Sequence, residues 1–533
     1  MSLVVLRLLG LLLVGSMAGW AQRGSAQDSV KNPSQAAPMP KITVSKEVTW
    51  FTEPVRKDGF VSYVQAINQH HGKGVTAQNN SVVSLYQAMG PQPEGTRQPD
   101  QFFELIGIPP LPNEGKYFVE LTKWWKDSGK PMPAGGAQGI INQHYQAIDR
   151  SWKEAEFPEY AAWLRDMETP LKLVAEASQR SEYYSPLVFP GDDEGQLIAV
   201  LLPGVQKSRS LARAMVMRAM WRLGEGKHAD SWNDLMVVHR LGRLHSRGPT
   251  LIEWLVGVAL ENIVGEAELR FLSETQPTSK QIAVYFAQLQ SLPKRAPMAD
   301  KIDITERAMY LDCCTQLARG RMKISELTDN GSGDDGSLLQ KVLEGVVLQS
   351  IEWDVVLKNG NRWYDRMAAA ARINDYREQS DVLQKLDDEI KALVARRQGA
   401  GVLAVLGGKQ ELTVFASDVL ISLILPAVRQ AVKAEHRVAQ RLRNLEVALA
   451  LSSWRGDHGS YPKKLEELVP KYLRAEPQDI FGGQPLRYQR TAEGYLLYSV
   501  VDNEVDDDGR NWDDMPRGDD LVVRMPRPLQ KTE

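Results

Sequence analysis

Apolar residues recur at steps of three and four through residues 195–292. This period is typical of amphipathic helices, which bury one face against a neighbour. Short breaks at Gly224–Gly226 and at Gly248–Pro249 divide the stretch into segments of helical length. Because short loops join antiparallel neighbours, the pattern predicts helical hairpins. It therefore favours a mainly α fold for the middle of the chain.

The segment Arg222–Leu241 resembles a tetratricopeptide unit, with Gly226 before a turn and Ala229 opening the next helix. A full period of about 34 residues, with its usual small and aromatic positions, is not found in the sequence. We therefore predict a multi-helix scaffold without a regular repeat.

The chain has 533 residues, which exceeds what one hydrophobic core usually serves, so several domains are expected. Its formal charge of −3 argues against nucleic-acid binding, which usually needs a strong basic excess. The predicted boundaries are a signal peptide at 1–26, a flexible leader at 27–48, an aromatic-rich and mainly helical region at 49–192, a helical-hairpin scaffold at 193–412 with a loop at 325–337, and a long helix with a small antiparallel sheet at 413–533.

The first 21 residues combine one arginine, an apolar run and a group of small residues. This order predicts a secretory signal peptide, cleaved after Ala21 or Ala26. An uncleaved membrane anchor is the alternative, but the uninterrupted run from Leu8 is shorter than the ~20 residues of a spanning helix. We therefore expect an exported protein, periplasmic or extracellular, without a spanning helix after cleavage.

Cys313 and Cys314 are the two cysteines of the chain, and they are adjacent. An exported protein could oxidise them. A disulfide between neighbours on a helix would strain the backbone, because disulfide geometry is demanding. Two buried thiols are therefore predicted.

Aromatic residues are dense between Tyr117 and Phe189, which suggests either a platform for a sugar or peptide or a helical core. Trp152, Phe157 and Trp163 lie near helical spacing, and this favours packing in a core.

The sequence contains no HExxH and no GxSxG motif. His239 and His245 are six residues apart, on different sides of a helix, so they do not form a ready metal pair. The acids of the loop at 325–337 match no known calcium spacing, and a solvated linker is favoured there. We predict a non-enzymatic protein. The alternative is an envelope hydrolase with a site between helices, which a His–acid pair or convergent acids in a deep cleft would support.

From Pro426 to Trp454 the pattern predicts one long amphipathic helix. Four cations step by four along one of its faces, and they repel each other unless an anionic group is near. That face is either solvated or docked on an acidic surface, such as an acidic loop of this chain or membrane headgroups. The four cations of this basic stripe are Arg429, Lys433, Arg437 and Arg441.

After the helix, glycines and Pro462 predict a turn, and alternating apolar positions predict three short strands with the sequences LRYQR, GYLLYSV and LVVRM. The order of ILPA, a long helix, HGSYP, DIFGGQPLRY, GYLLYSV, an acidic Gly-bearing loop and DDLV is similar to that of the type II secretion major pseudopilin and its type IV pilin-like relatives. The resemblance covers roughly a fifth of the chain. It implies a helix followed by a small antiparallel sheet, with a calcium-binding loop before the last strand.

This region departs from a pilin in three respects. It is internal, it is interrupted by Lys409, Glu411 and Asp418, and it lacks a processing site. We therefore do not expect pilin-like polymerisation. The passage from Thr49 is similar to the opening of large exported bacterial proteins of uncharacterised function, and this likeness implies no activity.

Residues 502–520, which we call the acidic loop, hold nine acids against Arg510 and Arg517. Such a cluster is costly without a cation, and calcium prefers six to eight oxygen ligands in a flexible arrangement. A hydrated loop without an ion is the alternative. By the pseudopilin resemblance, the candidate calcium ligands are Asp502, Asp506, Asp508 and Asp520.

Together these features predict an exported scaffold or binding protein of the cell envelope, with a calcium-stabilised C-terminal unit and an unidentified protein partner. The basic stripe could add peripheral contact with a membrane. Besides the hydrolase, an accessory component of a type II secretion-like system is an alternative.

Overall fold

The structure is a computed structural model that describes residues 40–189, 196–200, 204–324, 327, 349–397, 407–425, 428–503 and 505–527. The predicted signal peptide and most of the flexible leader lie outside the described residues. Of the predicted loop at 325–337, the structure describes Leu327 alone.

The amino-terminal region is a set of short helices, as predicted. Asn80 lies at the start of the second helix, and its side chain accepts a hydrogen bond from the Val82 N–H at 3.1 Å. Such a cap satisfies an open backbone donor. The helices are α1 (Tyr63–His71), α2 (Ser81–Met89), α3 (Asp100–Leu105), α4 (Leu121–Asp127), α5 (Gly136–Asp149), α6 (Pro158–Asp166) and α7 (Glu168–Ala177).

The dense aromatic residues form core rather than a platform. Trp152 and Trp163 are each 1 % exposed, and the indole N–H of Trp163 donates to the Val119 carbonyl at 2.9 Å. Tyr145 is an exception at 51 % exposure. The helical spacing of these residues thus indicated their burial correctly.

The predicted hairpins are present, and the breaks fall where the glycines lie. Helix α8 spans Val205–Gly224, α9 spans His228–His245, and α10 spans Leu251–Thr275. Thr250 begins α10 with a capping box, in which its hydroxyl and the Glu253 carboxylate satisfy each other's backbone N–H groups. These three helices pack on one another.

The remaining helices connect these hairpins to the C-terminal sheet. Cys313 and Cys314 are free and fully buried, which confirms the prediction of two buried thiols. A π-helical turn at Ile302–Glu306 precedes the helix that carries both cysteines. The helices are α11 (Ser279–Gln290), α12 (Met298–Lys301), α13 (Arg307–Ala318), α14 (Trp353–Ala371), α15 (Tyr376–Arg397), α16 (Lys409–Ile424) and α17 (Val428–His458).

The three predicted strands form one antiparallel sheet in the order β1 (Arg487–Arg490), β2 (Tyr495–Ser499) and β3 (Leu521–Met525). In the register, Leu497 faces Tyr488 of β1 and Val523 of β3. Leu497 and Val523 are buried, and α17 packs against β2 and β3. The fold is thus mainly helical with a small sheet near the C-terminus.

Helix α17 also joins two apolar clusters of the described residues. Its first half, through Val438, belongs to one cluster, and Leu445–Leu451 belongs to the other. Among the described residues, Lys409–His458 is long and apolar enough to cross a membrane by length and composition, but 69 % of its apolar window is buried in the protein. A core helix passes the same test.

Candidate functional site

The acidic loop connects β2 to β3 and is tied together by its own backbone. The Asp520 N–H donates to the Arg510 carbonyl at 3.1 Å, and the Gly518 N–H donates to the Asn511 carbonyl at 3.0 Å. At its end, the Asn444 side chain of α17 donates to the Leu521 carbonyl at 3.2 Å. The Asn444 bond holds the end of the loop near the long helix, and the two backbone bonds join residues 510–511 to residues 518–520.

A reversal within the loop decides which carboxylates meet. Asp508 and Gly509 have φ values of 56° and 71°, in the left-handed region that asparagine, aspartate and glycine tolerate best. The Asp508 N–H donates to Asp506 Oδ1 at 3.0 Å. The turn therefore holds the side chain of Asp506 within its own bend.

Three other carboxylates of the loop lie together beside this bend. Oxygen atoms of Asp507, Asp519 and Asp520 all lie within 4.8 Å of one another. Asp507 Oδ2 accepts from the Asp519 N–H at 3.0 Å, and Asp519 Oδ1 accepts from the Asn503 amide at 2.6 Å. We call these three residues the carboxylate cluster.

Asp520 is the buried member of the carboxylate cluster, at 2 % exposure. Its Oδ2 accepts from the Gly509 N–H at 2.9 Å, whereas its Oδ1 is buried without a hydrogen-bond partner among the described residues. Burial, with the neighbouring charges of Asp507 and Asp506, raises the pKa of Asp520 to about 6. A buried, unpaired carboxylate oxygen beside two further carboxylates is an arrangement that a bound cation would stabilise.

Of the three suggested ligands whose side chains the structure describes, only Asp520 lies in the carboxylate cluster. The Asp506 carboxylate accepts instead from Arg487 at 2.6 Å and from the Tyr498 hydroxyl at 3.1 Å. Asp508 is exposed at the reversal. Asp502 belongs to the 3-10 turn Val501–Asn503, and its side chain lies outside the described part of the chain.

Sequence reasoning missed Asp507 and Asp519, although both belong to the acidic run. Asp506 and Asp508 were chosen by the pseudopilin resemblance alone, and alternate residues would share a face only in an extended chain. The left-handed pair at Asp508–Gly509 breaks that alternation. The "DG" pair was the signal in the sequence that could have indicated the reversal.

A second constellation, which the histidine spacing did not reveal, is buried between α9 and α10. His239 Nε2 lies 2.8 Å from Glu268 Oε1, and His239 Nδ1 lies 3.9 Å from Glu261 Oε2. Glu261 also pairs with Arg295 at 2.8 Å and with Arg243 at 3.0 Å. We call these five residues the buried charge network.

Opposite charges decide the protonation of this network. Burial alone would lower the pKa of His239, but Glu268 and Glu261 raise it to about 9. Burial alone would raise the pKa of Glu261, but Arg295, His239 and Arg243 hold it at about 2. At neutral pH the network thus contains a protonated imidazole beside the ionised Glu261.

Stability should therefore depend on pH through His239. A raised folded-state pKa makes a contribution that is fully present below pH 6.5, declines up to about pH 9 and is lost above it. The His239→Gln variant should lose about 3 kcal/mol of unfolding free energy relative to wild type at pH 6, and much less at pH 9.5. Urea titrations across this range test the prediction, with exposed His70→Gln as control. Parallel pH profiles for wild type and His239→Gln would contradict it.

The cavity beside the network is small. It has a volume of about 70 Å³, lies between α10, α17 and β3, and is lined in part by His239, Glu261 and Asp520. Ligand pockets are usually about 300–1,000 Å³, so this cavity has room for a few water molecules rather than a substrate. The carboxylate cluster and the buried charge network thus meet at one internal cavity.

An open groove of about 680 Å³ lies beside α1. Asp312 is the one acid among the described residues that line it, and no histidine lines it. The two oxygens of Asp312 accept from the Leu197 N–H at 2.8 Å and from the Gln316 amide at 3.1 Å. Among the described residues that line the groove, no two acids converge.

The basic stripe of α17 is half-buried rather than fully solvated. Arg441 lies 3.8 Å from Glu266 of α10 and lines the internal cavity together with Asp520. Helix α17 thus presents at least this cation to acidic groups of its own chain. Contact of the stripe with a membrane stays a prediction.

Comparison of the chain with family models, with curated proteins and with solved structures finds no match.

Proposed function

We propose that this protein is an exported helical scaffold or binding protein whose C-terminal α+β unit binds one calcium ion in the acidic loop. The observation that supports the ion site best is the convergence of Asp507, Asp519 and Asp520, with one oxygen of Asp520 buried and unpaired. The ion would lie against these three residues and neutralise most of their charge.

The ligand chemistry favours calcium over other common ions. The carboxylate cluster offers oxygen ligands only, whereas zinc sites in proteins usually contain histidine or cysteine. Magnesium demands a near-ideal octahedron and keeps several waters. Calcium accepts monodentate or bidentate carboxylates, backbone carbonyls and water in a flexible arrangement, which suits a loop.

The hydrolase alternative gains a His–acid pair from the structure, but that pair is not accessible to a substrate. The His239–Glu268 pair is buried, and its cavity is too small for a substrate. Its neighbours Arg243 and Arg295 compensate the glutamate charge, as in a structural ion network. A scaffold therefore remains the better proposal. The pseudopilin resemblance and the secretion-accessory role stay predictions.

Calcium should raise the thermal stability of the protein. A ligand at 100 times its dissociation constant stabilises the folded state by about 2.7 kcal/mol. We expect the melting temperature of the full chain to rise with calcium relative to chelator, and Asp520→Asn to abolish this shift. Differential scanning fluorimetry measures it, and calorimetric titration counts the bound ions.

The matched control is Asp513→Asn, which removes an exposed carboxylate from the same loop outside the carboxylate cluster. It should keep the calcium shift. An equal shift in wild type and Asp520→Asn, or no shift in wild type, would refute the proposed ion site.

A further inference from the structure

The acidic loop also carries the most exposed apolar side chains of the described residues. Met515 is 88 % exposed and Trp512 is 67 % exposed, and Val505 of the same loop is 55 % exposed. Trp512 is the one tryptophan among the exposed large apolar residues of the described part of the chain. Large exposed apolar groups of this kind mark interaction surfaces, and tryptophan is enriched at their energetic centres.

The turn that presents these side chains is held firmly. The Asn511 N–H donates to Asp514 Oδ2 at 2.8 Å, and the Asp514 N–H donates to the Asn511 carbonyl at 3.2 Å. Arg524 of β3 donates to the same Asp514 oxygen at 2.6 Å. The Arg517 guanidinium lies 4.8 Å from the centre of the Trp512 ring. Residues 511–515, which we call the Trp512 turn, are thus organised before any partner arrives, which lowers the entropic cost of binding.

The charge around the Trp512 turn is strongly negative. The acidic loop has nine acids and two arginines, a net −7 in a chain whose total is −3. The rest of the chain is therefore net positive. Asp508 and Asp513 are exposed in the described loop. Arg487 and Arg524 from the strands offset two of these charges, at Asp506 and Asp514, and the loop keeps a net negative charge even with one calcium ion bound.

We propose that the Trp512 turn is a docking surface for a basic segment of a partner protein, in which apolar side chains cover Trp512 and Met515 and lysines or arginines face the surrounding acids. This goes beyond the proposed ion site, because protein groups and not an ion hold the turn. Charge complementarity selects the partner: it attracts a cationic chain and suppresses an anionic one.

The same charge disfavours two other occupants. In a two-fold dimer through this turn, a second copy of the chain would bring another negative loop, and like charges would repel. Anionic membranes would repel the loop as well, since membrane attraction usually requires basic residues. A cationic polypeptide is the occupant that satisfies both the apolar pair and the acids.

The test measures binding of a short fluorescein-labelled peptide of alternating Lys and Leu by fluorescence anisotropy, with a Glu–Leu peptide as the charge-reversed probe. We expect the full chain to bind only the Lys–Leu peptide and to bind it less at high salt. The Trp512→Ala/Met515→Ala double variant should bind about tenfold more weakly. Asp508→Asn/Asp513→Asn should weaken binding several-fold.

Tyr145→Ala is the matched control, because it removes another exposed aromatic ring outside the acidic loop. It should leave peptide affinity unchanged. Circular dichroism and melting verify that each variant is folded. All titrations are repeated with calcium and with chelator, so that loss of the ion site and loss of docking are separately visible. Binding should survive the chelator.

Three results would overturn the docking proposal. Equal peptide affinity for wild type and the Trp512→Ala/Met515→Ala variant would show that the turn takes no part. Binding of phosphatidylcholine vesicles that depends on Trp512, without peptide binding, would make it a membrane contact. Self-association in sedimentation velocity that the double variant abolishes would make it a contact between copies.

Discussion

Replacing Glu261 with glutamine is expected to lower the free energy of unfolding by about 3–5 kcal/mol. Glu261 is fully buried and compensates Arg295, Arg243 and protonated His239 at once. Glutamine has nearly the same shape but no charge, so Arg243 would lose its buried ion-pair partner. His239 would keep only Glu268 at 2.8 Å, and Arg295 would keep only Glu435 at 3.5 Å. Removing one partner of a buried ionic group leaves its counter-ions uncompensated, which costs far more than the pair itself contributes.

Glu266→Gln on the same helix is the control for this prediction. Its carboxylate is 53 % exposed and pairs with Arg527 at 2.6 Å. A surface pair contributes only about 0–1 kcal/mol, because water screens both charges. Urea unfolding followed by circular dichroism compares the two variants. Similar losses for Glu261→Gln and Glu266→Gln would show that the buried charge network is not the stabilising feature we describe.

The second large effect concerns the crossing of α9 and α10. A Cβ atom on Gly257 would lie 2.4 Å from the Gly242 carbonyl oxygen and 3.0 Å from the Ser246 backbone nitrogen. Both neighbours are backbone, so the helices would have to move apart. We expect Gly257→Ala to cost about 2–3 kcal/mol, because overpacking of this kind outweighs the better helix propensity of alanine.

Gly265→Ala offers a matched control on the same helix. A Cβ atom there meets nothing within 4 Å, so only the gain in helix propensity remains. This variant should be more stable than wild type by about 0.5–1 kcal/mol. Thermal and urea unfolding of both variants test the pair. Stabilisation by both substitutions would contradict the close helix crossing.

The sequence predicted the helices and strands well where their patterns are local. The breaks between α8, α9 and α10 fall at Gly224–Gly226 and Gly248–Pro249, and the three strands match the alternating segments. Local spacing did not predict the partners of His239. Its spacing to His245 excluded a histidine pair, but the real partners, Glu261 and Glu268, come from the next helix. No spacing within one helix could indicate them.

The acidic loop shows the same contrast between what a local pattern predicts and what tertiary contacts decide. The composition of the loop located a candidate ion site. Because the chain reverses at Asp508–Gly509, however, the carboxylates beside Asp520 are those of Asp507 and Asp519 rather than those of Asp506 and Asp508. Which carboxylates meet depends on two backbone dihedral angles that composition does not encode.

By itself, the sequence determined the mainly helical class, the C-terminal helix and sheet, the burial of the aromatic residues and thiols, and the acidic character of one loop. Each of these follows from periodicity or composition over neighbouring residues. Only the tertiary structure decided which charges face each other, which carboxylate oxygen is left unpaired, and which apolar side chains remain exposed. Those outcomes depend on contacts between residues far apart in the chain, and such contacts exist only once the helices have packed.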